Sequence, residues 1–198
     1  MGLDLDYQDG QTPLDEDEKD GLLIPSVTTR GELDEFEQLG VENAVNWLTK
    51  RKISPQKILT QEFVKDLHKR MFGKIWRWAG EFRLTNKNIG VDKYMIGIEL
   101  KKLLDDCHFW IENKTFSEDE IAARVSHRIV FIHPFANGNG RHSRLYADTL
   151  VHNGLGKPYF SWGSINLVKP GEARTQYMQA LRYADNQDYA PLIKFARL

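Results

Sequence analysis

Only one cysteine, Cys107, occurs among 198 residues. An internal disulfide is therefore excluded, and without a second thiol no cysteine metal site can form, so a small buried residue is the expected role. No apolar run approaches the roughly twenty residues that a spanning helix needs, and the N-terminus is acidic, with Asp4, Asp6 and Asp9, where a secretory signal would be basic. A cytoplasmic protein with no membrane partner is expected. Charge of one sign is lacking too: 27 Lys and Arg against 28 Asp and Glu leave a formal net charge of −1 and a pI near 6.6. That balance gives no basic field for a polyanion, so nucleic acid is not an expected partner. Internal repeats and low-complexity tracts are absent. What is present is 41% hydrophobic and 11% aromatic content, enough for one well-buried core. The organisation expected is an N-terminal arm with a short helix over 1–28 and one domain over 29–198; no oligomeric state is indicated.

Hydrophobic periodicity makes the chain all-α. Residues 1–10 show no period and are expected to be disordered. Thr12-Pro13-Leu14-Asp15 places a capping residue before a proline at the first helical position, and Gly21 ends that short helix. Thr29 to Glu32 fits a capping box, and Leu33, Phe36, Leu39, Val41, Ala44, Val45 and Leu48 give a stripe for a long helix ending near Lys50. Thr60 caps the next helix, with Phe63, Leu67, Met71, Phe72 and Ile75 buried. From Trp76 to Asp92 the helical period lapses, with Asn86, Asn88 and Gly90 marking turns. Leu100, Leu103, Leu104, Cys107 and Trp110 give another helix, and a capping box at Ser117 opens one more, which delivers His133. Helical patterns over about Gly171 to Asp185 and Tyr189 to Ala196 close the chain.

Chemistry concentrates in His133 to Arg144, which reads H-P-F-A-N-G-N-G-R-H-S-R between two apolar helical patterns. Gly138, Asn139 and Gly140 let the backbone approach a ligand with its N–H groups turned inward, as in an anion cradle. A helix begins immediately afterwards, and its unpaired N–H groups and positive dipole end favour a phosphate. Arg141 and Arg144 lie three apart, on one face of that helix. His133, before Pro134, is placed to take a proton from a hydroxyl. Each part alone has an ordinary explanation: a helix–loop–helix corner, a core histidine, a solvated basic face. Their conjunction within twelve residues, around the apolar anchor Phe135, points to a base beside a phosphate tail.

This stretch resembles the signature of Fic-domain proteins, H-P-F-x-[D/E]-G-N-G-R-x-x-R. Leu67-His68, Trp78-Ala79-Gly80-Glu81-Phe82-Arg83, Tyr177, Ala184-Asp185 and Pro191-Leu192-Ile193 extend the resemblance from about Leu59 to the C-terminus. Thr12-Pro13-Leu14 and Thr28 to Leu33 are similar to a bacterial subgroup called mobile mystery protein B, found with mobile elements. The resemblance implies an all-α Fic bundle with a small β-hairpin, the flap, over the aperiodic stretch, which pins an extended target segment by main-chain pairing. It implies transfer of AMP from ATP to a Ser, Thr or Tyr hydroxyl of a target protein, with His133 as general base. The Gly138–Gly140 amides and the Asn139 side chain would hold the α- and β-phosphates, and Arg141 and Arg144 the outer ones, the γ-phosphate falling to Arg144. Ile89, Gly90 and Val91 of the flap would face the nucleotide, and Tyr177 and Asp185 would lie against the adenosine.

One position departs from that signature. Asn137 stands where most active relatives carry the Asp or Glu that holds Mg²⁺, so an amide oxygen replaces a charged ligand and metal binding should weaken. An active enzyme is still the favoured expectation. The alternatives are a Fic-fold transferase of another phosphate-containing group, which Gly140 argues against because the relative that works that way carries lysine there, and a nucleotide-binding module without turnover. The inhibitory pattern [S/T]-x-x-x-E-[G/N] is incomplete: Glu32 is followed by Leu33, and Glu42-Asn43 is preceded by Gln38. An antitoxin-like regulator in trans is therefore expected. A metal hydrolase built on His68, His127, His133 and His142 is disfavoured, because the spacing lacks an i, i+4 pair with a nearby carboxylate.

Overall fold

The computed structural model describes residues 12–164 and 171–198; the expectation for residues 1–10 lies outside them. Among the described residues nine α-helices run in order: α1 (Glu16–Lys19), α2 (Arg30–Thr49), α3 (Pro55–Ile58), α4 (Gln61–Phe72), α5 (Ile96–Asn113), α6 (Glu118–Ile132), α7 (Asn139–Thr149), α8 (Glu172–Asp185) and α9 (Ala190–Ala196). The pair α6 and α7, which pack most extensively on each other, is the centre of the molecule. One core joins it to α2, α4 and α5 through Leu33, Leu67, Met71, Phe72, Leu100, Ile129 and Tyr146. A second core lies on its other side, where Ala122, Ala123 and Ala147 meet Tyr177, Leu192 and Phe195 of α8 and α9. Small residues on α6 let that layer approach closely, while the larger ones fill the first core. Cys107 is fully buried in the first core, which pushes its thiol up to about 12.

Three caps read from the sequence, Thr29, Thr60 and Ser117, sit where helices start and accept a hydrogen bond from the backbone N–H three residues on. Ser54, not read from the sequence, caps the short α3 in the same way. Three expectations are corrected. The arm helix begins at Glu16 and not at Pro13, because the Thr12 hydroxyl is committed to His133 and Asp15 takes over as the cap, its N–H donating to the Glu18 carboxylate at 2.8 Å. On α2, Phe36, Leu39 and Val45 are largely exposed, and the buried face is Leu33, Glu37, Ala44 and Leu48. Glu37 can be buried because it is paired.

The flap is the third correction: among the described residues no strand forms, and residues 84–92 are a chain of bends. Side chains take the hydrogen bonds that hairpin pairing would use. Asn86 Nδ2 donates to Asp92 at 2.9 Å while its Oδ1 accepts from the Lys93 N–H at 2.8 Å. The Arg83 guanidinium donates to the carbonyls of Thr85 and Val91. Backbone groups captured in this way are not available for a ladder. The one β-bridge lies elsewhere, antiparallel between Leu22 of the arm and Trp76.

Candidate active site

α6 ends in a residue with left-handed backbone, His133 at φ 54° and ψ 60°, whose N–H still bonds to the Ile129 carbonyl at 3.0 Å. Glycine usually fills such a position, since a side chain is strained there. Arg83 makes it tenable. Its Nε donates to the His133 carbonyl at 2.7 Å, its backbone N–H donates to the Pro134 carbonyl at 2.9 Å, and the residue is 4% exposed. Gly90 closes against the same spot at φ 101°, where a Cβ would fall 2.6 Å from that of His133.

Orientation of the imidazole fixes its tautomer. Nδ1 lies 3.4 Å from the Val130 carbonyl, which can only accept, so Nδ1 carries the hydrogen and Nε2 keeps its lone pair. Nε2 is 3.0 Å from the Thr12 hydroxyl, which therefore donates to it. Burial pulls the His133 pKa down to about 4, the Val130 carbonyl opposes this, and the positive charges of Arg83 and Lys87 add to the fall. The ring is thus a neutral base at any pH above about 5.

The loop that follows is held from within. The Phe135 ring is fully buried and stacked on His68 at 3.7 Å between centroids, with His142 edge-on at 5.0 Å. His68 accepts from the Gly80 N–H at Nδ1 and so donates from Nε2 to the Asn137 carbonyl, both at 3.0 Å. Asn139 is turned inward: its Oδ1 accepts from the Phe135 N–H at 3.0 Å and its Nδ2 donates to the Phe135 carbonyl at 2.8 Å. Its side chain braces the loop and is not free for a phosphate, contrary to expectation. Gly138 adopts φ 78° against the Phe72 ring, where a Cβ would meet ring carbon at 2.6 Å. Its N–H is also engaged, by Oδ1 of Asn137 at 2.5 Å. The N–H groups of Asn139, Gly140 and Arg141, in the first turn of α7, carry no hydrogen bond to any described residue and are the ones left to hold an anion.

Arginines of the motif differ in their surroundings. Arg141 donates to Glu37 at 2.6 Å; Glu37 is 2% exposed and also accepts from the Trp76 indole at 2.7 Å. Arg144 has no ion pair among the described residues and lies over the Tyr177 ring at 5.2 Å. Of the two, Arg144 is the guanidinium more available to a triphosphate. Tyr177 is buried between Trp162 and Phe195, with no hydrogen bond to its hydroxyl among the described residues. A cavity of about 520 Å³ gathers Ile89, Gly90 and Asp185 with Val130, Met178 and Leu181, so three of the expected nucleotide contacts meet there. Val91 and Tyr177 do not line it. Asp185 accepts from His127 at 2.8 Å.

A divalent cation does not fit the residues present. No three His, Cys, Asp or Glu side chains converge among the described residues, and the Asn137 oxygen is already occupied by the Gly138 amide. His68 and His142 are structural as well. His142 donates to the Val64 carbonyl at 2.9 Å, and burial holds both imidazoles well below their ordinary pKa. The sequence reading missed the roles of Arg83, His68, Glu37 and Thr12. Arg83 and His68 stood inside matched stretches, but only their long-range contacts show what they do.

Residues 58–151 match the Fic/DOC family model. A protein adenylyltransferase Fic from Aedes aegypti is 26% identical over 163 residues, covering 80% of this chain and 31% of that protein. The chain therefore spans about a third of the length of the curated relatives it matches. Among solved structures, Fic-1 (residues 134–508) from C. elegans superposes with a TM-score of 0.67 at 24% identity, over 90% of this chain and 51% of that one. BepC from Bartonella tribocorum, with bound AMPPNP, gives 0.67 at 20% identity over 92% and 97%. The segment from the end of α3 to just past α7, loop motif included, thus carries the Fic/DOC match, and the fold around it is that of the solved Fic structures.

Proposed function

We propose that this domain transfers AMP from ATP to a Ser, Thr or Tyr hydroxyl of a target protein. The observation that carries the reading is the imidazole of His133, neutral, with the Nε2 lone pair accepting from a hydroxyl, directly before the open amides of α7. In the step, the acceptor oxygen bonds to the α-phosphorus while the bond from that phosphorus to the pyrophosphate oxygen breaks. Nε2 of His133 takes the hydroxyl proton, and Nδ1–H is held by Val130 so that the ring does not rotate. The N–H groups at the start of α7, with the helix dipole behind them, would stabilise charge on the phosphates as it develops. Arg144 would take the outer phosphate, and the cavity at Ile89, Gly90 and Asp185 has the volume for the nucleoside. No step is assigned to a metal. ATP as donor agrees with a cytoplasmic setting, and a target segment and a regulator in trans complete the proposed partners.

The test is incubation of the protein with α-labelled ATP and cell lysate, with Mg²⁺ or Mn²⁺, beside a His133→Ala control. Labelled polypeptides that disappear in the control are expected. ATP-dependent thermal stabilisation without any transfer would favour the nucleotide-binding module, a reading to which the occupied Asn137 oxygen lends support.

A further inference from the structure

The group resting on the base belongs to the chain itself. Thr12 Oγ1 lies 3.0 Å from Nε2 of His133, and the two residues are 7% and 5% exposed, so no other hydroxyl reaches that nitrogen while the arm is in place. The contact is the ground-state arrangement of a nucleophile and its base: an O–H aimed at an imidazole lone pair, with the other ring nitrogen anchored. Thr12 is also of the residue class that the proposed reaction modifies. Pro13 behind it disfavours helical backbone at Thr12, which suits an extended acceptor segment.

Nor is the placement that of a loose end. Lys87 Nζ, on a side chain 3% exposed, pairs with Asp15 at 2.8 Å and with Glu18 at 2.5 Å. The Thr85 hydroxyl donates to Asp15 at 2.7 Å and the Trp78 indole to the Glu18 carbonyl at 2.9 Å. The bridge at Leu22 and Trp76 brings two backbone bonds of 2.8 Å, Leu23 N–H to Ile75 and Arg77 N–H to Gly21. Thr85 and Lys87 hold this arm through their side chains, on the ground where the flap was expected to hold a target.

We propose that Thr12 is an acceptor of the transferred nucleotide, so that the chain modifies its own arm. The inference rests on the transfer reading given above. Thr12 Oγ1 forms a bond to the α-phosphorus of ATP, the bond from that phosphorus to the pyrophosphate oxygen breaks, and the hydroxyl proton passes to His133 Nε2. Pyrophosphate leaves with the bonding electron pair. The product has lost the O–H that bound Nε2, so the contact that seats Thr12 over the base is gone and His133 opens to other acceptors.

Peptide mass spectrometry of the full chain after incubation with ATP and Mg²⁺ or Mn²⁺ tests this. A gain of about 329 Da, AMP less water, is expected on the peptide containing Thr12, at a rate independent of protein concentration. It should be absent from His133→Ala and Thr12→Val and retained in Thr12→Ser. Thr12→Val should also label lysate proteins without the delay seen in the parent chain. An unmodified Thr12 peptide while lysate proteins are labelled overturns the inference and leaves the transfer reading standing. A rate that rises with protein concentration overturns modification within one chain, and absence of transfer to any polypeptide from both the parent chain and Thr12→Val overturns inference and reading together.

Discussion

The loop from His133 to Asn139 and the arm from Thr12 to Leu22 converge on the same imidazole, yet different forces hold them. The loop is fixed by buried groups whose hydrogen bonds have no substitute in water: Arg83 on the His133 carbonyl, His68 on the Asn137 carbonyl and Asn139 on both backbone groups of Phe135. The arm is held by ion pairs to Lys87, two bridge hydrogen bonds, the Thr12 and Thr85 hydroxyls and the Trp78 indole. Losing a buried partner costs about 1–3 kcal/mol per orphaned group, while ion pairs with an exposed member contribute roughly 0–1 kcal/mol and are screened by salt. On the proposed transfer reading, a catalytic loop must keep its geometry and an acceptor must come and go, and the two regions differ in that sense.

The comparison sharpens most at Glu37, which is buried behind the loop on the Arg141 side. Glu37→Ala leaves the Arg141 guanidinium and the Trp76 indole without their acceptor, and a loss of about 3–5 kcal/mol is expected in urea unfolding. An effect below about 1 kcal/mol would mean that the base of the loop is no more rigidly held than the arm.

Acid comes next. His133 and His142 are held neutral by burial, with pKa values of about 4 against 6.5 unfolded. Between those two values the unfolded chain binds protons that the folded one refuses, so stability is full above pH 6.5 and falls as pH drops toward 4. Asp148, raised by burial to about 7, works in the opposite direction over the same range, because its folded state holds a proton that the unfolded state has lost. Two histidines against one carboxyl leave a net loss on the order of 3 kcal/mol, to which His68 adds. Unfolding midpoints at pH 7 and pH 4.5 measure it, and His142→Asn should shrink the difference.

Asn139→Ala removes both bonds to Phe135 and should cost about 2 kcal/mol, with transfer activity falling further than stability does, since the same loop sets the first amides of α7. Parallel urea and activity measurements separate the two effects. Smallest in stability is Lys87→Met, at about 1 kcal/mol, since its Asp15 partner is half exposed although Lys87 and Glu18 are not; it should also raise proteolysis of the arm, and 0.5 M salt, at a Debye length of about 4 Å, should do the same to the parent chain. Proteolysis unchanged by either would show that the arm is held by its bridge, its hydroxyl contacts and the Trp78 indole without its ion pairs.

Legibility followed the range of the interaction. The core faces of α4, α5 and α6 and the caps of α4 and α6 were readable, because capping and periodicity join residues three and four apart. On α2 the period alone misled: a glutamate is buried in the stripe while Phe36 and Leu39 face outward, since Arg141 and Trp76 lie about 104 and 39 positions away. The flap was misread because no local rule says that Arg83 and Asn86 will take the bonds a hairpin needs. The motif announced a base and an anion site, but not that the Asn139 and Asn137 oxygens serve the loop itself.

By itself, the sequence determined the all-α class, the starts of α2, α4 and α6 and the twelve residues that carry the chemistry, because each depends on contacts within a turn or two of chain. Only the tertiary structure decided which tautomer His133 adopts, which arginine is left for a phosphate and whose hydroxyl meets the base. Those outcomes depend on groups distant in sequence, Val130 excepted, that packing brings within 3 or 4 Å, where burial settles which hydrogen bonds must form.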